Sequence, residues 1–245
     1  MIDLVSPIRE RYLRTLDRIA AAARSVGRDP SSVRLVVVTK SQPLEVAQAA
    51  IEAGATILGE NYPEEALEKI RSLSGHSGVE WHMIGHVQSR KARLVTAHFK
   101  LLHSLDSLKL AERLSRFAAE AGHSLSVLLE FNVGGEESKF GWPAWDERGW
   151  AELLAPISTI IALPHLRVRG LMVMPPLGEE AEASRSYFLR ARRLQEFLRE
   201  HLPQADWMEL SMGTSLDYEV AVQEGATLVR VGTAIVGPRH YSTEA

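Results

Sequence analysis

The sequence predicts an α/β fold, a single (β/α)8 TIM barrel with an extra N-terminal helix, on three observations. Apolar runs of β-forming residues alternate with segments of helical periodicity eight times along the chain, and such alternation implies a parallel sheet. The length of 245 residues is close to the roughly 250 of a typical barrel. Finally, Ala50-Ile-Glu-Ala-Gly54-Ala-Thr56 echoes Ala221-Val-Gln-Glu-Gly225-Ala-Thr227. Both run from the end of a helix, across a glycine, into a strand, as repeated αβ units do. No linker or low-complexity segment divides the chain, so one domain over 1–245 is expected. A doubly wound sheet is the alternative that alternation alone leaves open.

Val5, Ile8, Tyr12, Leu16, Ile19 and Ala23 recur at spacings of three or four and predict an amphipathic helix ending near Gly27. It would cover an otherwise open part of the barrel. The first strand, 34–40, is a buried apolar run that ends abruptly on Lys40, and a helix over 44–53 follows, closed by Gly54. A strand at 56–58 and a helix at 64–73 come next, then a strand at 80–84 and a helix from Gln88 to about Ala97. Residues 100–103 form a strand, after which Asp106 caps a helix carrying Leu110, Leu114, Phe117 and Ala121 on its apolar side. A strand at 126–132 leads through Gly134-Gly135 to a helix at 145–154. Strands at 167–173, 206–210 and 227–231 alternate with helices at 180–201 and 215–224 to complete the count.

Composition excludes several classes. A net charge of −3, without a long Lys/Arg run, gives no nucleic-acid signal. The absence of cysteine removes disulfides, thiolate metal sites and cysteine nucleophiles, and no metal site is expected. The sequence starts without a signal-peptide pattern and has no apolar run of membrane-spanning length, so a cytoplasmic protein without membrane contact is expected.

In such a barrel the chemistry gathers just past the strand ends. Those positions are Thr39 and Lys40, Glu60 and Asn61, Gly85 and His86, Asn132, Met172 and Met174, Ser211 to Gly213, and Gly232 with Thr233. Lys40 alone reads as an ordinary solvated charge closing an apolar strand, and only its neighbours give it a chemical role. The loops after the seventh and eighth strands, Ser211-Met-Gly-Thr-Ser215 and Gly232-Thr-Ala234, are where barrels commonly cradle a phosphate, although each alone could be an ordinary helix cap. Arg230 lies two residues before Gly232 in the run Leu228-Val-Arg-Val231, so alternation lets it point inward, where burial demands an acceptor. The contrary reading is an arginine that snorkels to solvent or pairs with a structural carboxylate. Lysine amines form Schiff bases with carbonyls, and pyridoxal 5′-phosphate (PLP) is the phosphate-bearing aldehyde that fits the set. A barrel aldolase acting on a phosphosugar would explain Lys40 and the cradle equally.

The stretches VVVTK (36–40), LGENYPEEALEK (58–69), WHMIGHVQSRK (81–91), GLMVMPP (170–176), LSMGTSLDYEVAV (210–222) and VRVGTAIVGPR (229–239) resemble the pyridoxal phosphate homeostasis protein family, the YggS/PROSC-like PLP-binding barrels. They span nearly the whole chain in family order. The resemblance implies Lys40 as the Schiff-base lysine, and a phosphate site from Ser211, Gly213, Gly232 and Thr233. It also implies an Arg230 contact to the pyridine nitrogen, as in the related alanine racemases, with Asn61, His86, Met172 and Met212 lining the pocket. His86 could instead cap the helix near Gln88, and Met172 could be plain core. The racemases add a second acid/base, a tyrosine from a further β domain of the partner subunit. A chain ending at Ala245 is expected to lack that domain, and Tyr62 and Tyr218 carry no sign of facing the cofactor. The resemblance therefore implies a monomeric holder of PLP that serves PLP-dependent apoenzymes, with no catalytic residue established. A PLP-dependent amino-acid racemase is the alternative.

Overall fold

In the computed structural model, residues 3–176, 178 and 180–238 are described. The strands are β1 Arg34–Val38, β2 Ile57–Glu60, β3 Glu80–Met83, β4 Leu101–Leu105, β5 Leu125–Asn132, β6 Trp142–Pro143, β7 Leu166–Val173, β8 Glu209–Ser211 and β9 Leu228–Val231. Eight of them pair in parallel in the order β4-β3-β2-β1-β9-β8-β7-β5, and a further β4–β5 pairing closes the ring. The ninth, β6, attaches to β5 through Phe131 and Trp142. The fold is thus a closed (β/α)8 barrel, with β8 and β9 as its seventh and eighth strands.

Strand alternation divides the apolar residues into two layers. Val37, Leu58, Met83, Leu102, Leu129, Leu171, Leu210 and Val229 belong to the main core between sheet and helices. Val36, Ile57, Leu101, Leu128, Met172 and Leu228 form a separate cluster that fills the barrel itself. Each fully buried side chain of this kind stabilises the fold by about 1.5–3 kcal/mol.

The outer helices are α1 Val5–Ser25, α2 Leu44–Glu52, α3 Pro63–Ser72, α4 Ala92–His98, α5 Leu108–Glu120, α6 Leu154–Ile161, α7 Arg185–His201, α8 Tyr218–Gln223 and α9 Thr233–Val236. The last is a single turn, and α1 packs across it and across α2 and α8. Arg11 Nε donates to the Ile235 carbonyl at 2.6 Å and the Tyr12 hydroxyl to that of Gly54 at 3.1 Å. The extra helix therefore closes the side that α9 is too short to cover. No described helix is long and apolar enough to cross a membrane.

The two echoing segments adopt one geometry. Gly54 and Gly225 take φ of 114° and 107°, and the next amides, of Ala55 and Ala226, return to the Ala50 and Ala221 carbonyls at 3.0 and 2.9 Å. Such left-handed closures favour glycine. They feed β2 and β9, the two neighbours of β1.

Three expectations shift. Ser107, not Asp106, caps α5, its hydroxyl accepting from the Leu110 amide at 3.4 Å. The helix expected at 145–154 is a 3-10 turn at Glu147–Leu153 that gives way to α6. There Ile157 and Ile160 supply the buried face, and Pro156 falls in the first turn, where its missing N–H is tolerated. The seventh barrel strand starts later than expected, because Asp206 pairs with Arg169 at 2.7 Å and Trp207 is buried with its indole N–H on the Leu202 carbonyl at 2.8 Å.

Candidate functional site

The C-terminal ends of the strands surround a cavity of about 580 Å³, within the roughly 300–1,000 Å³ of small-molecule sites. Lys40 lines it, directly past β1. Its position is fixed from behind. The Thr39 hydroxyl donates to Glu60 Oε1 at 2.7 Å, and Lys69 Nζ donates to the same oxygen and to the Thr39 carbonyl, each at 2.8 Å. All three residues are buried. Burial raises the Glu60 carboxyl, while the Lys69 ammonium acts against that rise. Ser41, next in the chain, turns away with φ of 55°, a left-handed conformation uncommon outside glycine.

Arg230 reaches the cavity from β9. It meets the acceptors its burial demands: Nη1 donates to Ser211 Oγ at 2.6 Å and Nη2 to the Val173 carbonyl at 3.1 Å. Burial pushes its pKa down to about 10, which leaves it a cation at neutral pH. Glu130, on β5, also lines the cavity. Burial first, then the nearby Asp106 charge, pushes its pKa up to about 7 against the opposing pull of Arg230. Its Oε2 and the Oδ1 of Asn61 are buried without a hydrogen-bond partner among the described residues. On the far wall the Gly232 and Ala234 amides converge on Ser215 Oγ at 3.2 and 3.4 Å. His86 Nδ1 lies 2.8 Å from Asp106 Oδ2, and its ring stacks on Phe140 with centroids 3.8 Å apart. Gly85 admits no side chain, since a Cβ would lie 2.5 Å from the Asn61 carbonyl oxygen.

Of the residues expected from sequence, Lys40, Asn61, His86, Arg230, Gly232 and Thr233 gather around this cavity. The other four stand behind its walls. Met172 belongs to the apolar filling of the barrel and Met212 to the outer core. Ser211 is fully buried beneath Arg230. Gly213, with φ of 90°, lets α8 approach: a Cβ there would be 2.6 Å from Ala221 Cβ. His86 pairs with Asp106 rather than capping a helix. Tyr218 is buried at 4% exposure, Tyr62 stands 48% exposed, and no described tyrosine lines the cavity. Sequence reasoning missed Glu130, Lys139 and Phe140 on the wall and His82 and His103 below, while Ser215, read from sequence only as part of the cradle loop, proves to meet the amides. Glu130 and the two histidines carry the same signal that marked Arg230, a polar side chain within an apolar strand. Among the described residues no group of three or more His, Cys, Asp or Glu is placed to hold a metal ion.

A closed parallel barrel with a lysine and an arginine at one mouth defines a class, and residues 15–240 match the family model for the alanine racemase N-terminal domain. Within that class the similarity is closer to another group. The pyridoxal phosphate homeostasis protein of Pseudomonas aeruginosa is 41% identical over 98% of this chain and 100% of its own length. That of Escherichia coli K12 is 40% identical over 92% of this chain and 94% of its own. The structure of PipY from Synechococcus elongatus with PLP bound superposes with a TM-score of 0.80 at 37% identity, covering 94% of this chain and 100% of PipY. The chain belongs to the pyridoxal phosphate homeostasis protein family. An alanine racemase from Clostridium difficile, at 15% identity and a TM-score of 0.68 over 98% of this chain and 58% of its own, shares the fold.

Proposed function

We propose that this protein binds PLP as a Schiff base on Lys40 and acts in intracellular PLP homeostasis, as a carrier or buffer that serves PLP-dependent apoenzymes. The observation that carries the reading is the convergence of Lys40, Arg230, Gly232 and Ser215 on one cavity, with the Gly232 and Ala234 amides aimed at the Ser215 hydroxyl. The donors suit the cofactor. Two amides already aimed at one hydroxyl oxygen would serve a phosphate oxygen, with Thr233 and Ser215 adding hydroxyls. Ser211 and Gly213 then act from behind, one on Arg230 and the other on the approach of α8. Asn61 Oδ1, buried without a partner among the described residues, supplies a further polar contact.

Arg230 sets the limit of the chemistry. A guanidinium can only donate, so against the pyridine nitrogen it leaves that nitrogen unprotonated and the ring a weaker electron sink than an acidic partner would. Robust carbanion chemistry is thereby disfavoured, in keeping with relatives named for homeostasis rather than for a reaction.

The test is a visible absorbance spectrum of the purified protein before and after borohydride, followed by peptide mapping. A visible band, its loss on reduction and a modified Lys40 are expected, and Lys40→Ala should show none of these. The same reducible adduct persisting in Lys40→Ala would sink the lysine assignment. Protein that takes up no added PLP would favour a phosphosugar aldolase instead.

A further inference from the structure

We propose that Arg230, Ser211, His103, His82 and Glu80 form a one-way hydrogen-bond relay through the barrel, in which His103 is the positioning residue that holds Arg230 toward the cofactor ring. The positioning role rests on the PLP reading above; the relay itself does not. Arg230 Nη1 is 2.6 Å from Ser211 Oγ, which is 2.8 Å from His103 Nδ1. His103 Nε2 is 3.0 Å from His82 Nδ1, and His82 Nε2 is 3.3 Å from Glu80 Oε2. The relay thus runs from the mouth cavity to a second cavity at the opposite end, where Glu80 stands among Arg34, Lys100, Arg169 and Glu209.

The chemistry of the two ends gives the relay its direction. Guanidinium can only donate and an ionised carboxylate only accept. Ser211 Oγ receives from Arg230, and among the described residues the only acceptor within reach of its own buried proton is His103 Nδ1, so that proton is satisfied by passing there. His103 must then carry its proton on Nε2 and donate to His82 Nδ1, and His82 must carry its proton on Nε2 and donate to Glu80. Both imidazoles are therefore neutral and of one tautomer. Their environment favours that state: Ser211, His103 and His82 are 0, 0 and 1% exposed, and burial holds both histidines below the usual imidazole range. The charged groups acting on them are Glu80, Arg34 and Glu209 around His82, and Arg34 and Arg230 around His103, with His82 beside it. A proton on His103 Nδ1 would leave the buried Ser211 hydroxyl hydrogen without an acceptor or turn it against Arg230. Neutral His103 thus keeps a lone pair of Ser211 on the guanidinium and fixes where the remaining Arg230 donors aim.

Two measurements test this. In the cofactor-free protein, nitrogen-15 NMR should find His82 and His103 neutral with the proton on Nε2 at neutral pH, and both should titrate below the usual imidazole range. A His103 that carries its proton on Nδ1, or that titrates as a free imidazole, overturns the relay. In the loaded protein, His103→Leu and Ser211→Ala should retain PLP about tenfold more weakly and shift the pH profile of its visible band. His103→Asn, which offers an acceptor near the place of Nδ1, should recover most of both. Wild-type retention and pH profile in either Ser211→Ala or a folded His103→Leu overturns the positioning role. A wild-type protein that takes up no PLP overturns the proposed function and that role together, while the tautomers still decide the relay.

Discussion

At the scale of single residues, Glu130 carries the most distinctive electrostatics of the mouth. Its folded pKa of about 7 lies above the roughly 4.3 of a free glutamate, so the folded chain holds a proton that the unfolded chain loses. Stability from this group is fully present at low pH, falls as pH rises between those two values, and is absent above about pH 7. Glu130→Gln should leave stability nearly unchanged near pH 4 and raise it at pH 8 by up to about 3 kcal/mol. Urea unfolding at the two pH values checks this, and an equal effect at both would show that Glu130 does not titrate there. The residue was legible in principle. Arg230 was found by alternation from Gly232, and the same alternation backward from Asn132 puts Glu130 on the inner face of β5. His82 and His103 follow the same rule on β3 and β4. Which pairs would meet was not legible, because His103 and Ser211 are separated by 108 positions and only barrel closure brings them together.

At the scale of elements, the top of β1 is held by β2 and α3. Lys69 on α3 and Glu60 on β2 form an ion pair with side chains 7 and 0% exposed, and both contact Thr39. A buried pair contributes little net stability, but breaking it strands a charge. Lys69→Met should therefore destabilise the fold by about 3–5 kcal/mol, and the double variant with Glu60→Leu should recover much of the loss. Thermal or denaturant unfolding of the single and double variants measures it, and a single variant within 1 kcal/mol of wild type would contradict the pairing. Because Thr39 precedes Lys40, the single variant should also weaken PLP retention. Periodicity disclosed these elements better than their ends. The strand ending at Lys40 and the glycine-closed helices were visible as patterns, whereas Ser107 outcompeted Asp106 as a cap because Asp106 turns to His86.

At the scale of the molecule, the barrel brings a lysine, an arginine and converging amides to one mouth, on a fold shared with an alanine racemase. Racemisation needs proton transfer on both faces of Cα and a ring that accepts the electron pair. Arg230, if it meets the pyridine nitrogen as proposed above, would weaken the second requirement. For the first, the cavity offers Lys40 but no described tyrosine, since Tyr218 is buried in the outer core and Tyr62 is absent from the lining. The wall groups that could act as a second base are Glu130, with its pKa near 7, and His86, whose Nδ1 is held by Asp106 and whose ring lies on Phe140. The weaker electron sink proposed for Arg230 is what makes retention, rather than turnover, the expected outcome. With PLP loaded, amino acids incubated in deuterium oxide should gain deuterium at Cα no faster than with free PLP, read by mass spectrometry. Sustained, stoichiometry-exceeding exchange that disappears in Lys40→Ala would instead make the protein a racemase-type catalyst, and His86→Phe would then show whether the second proton passes through the His86–Asp106 pair.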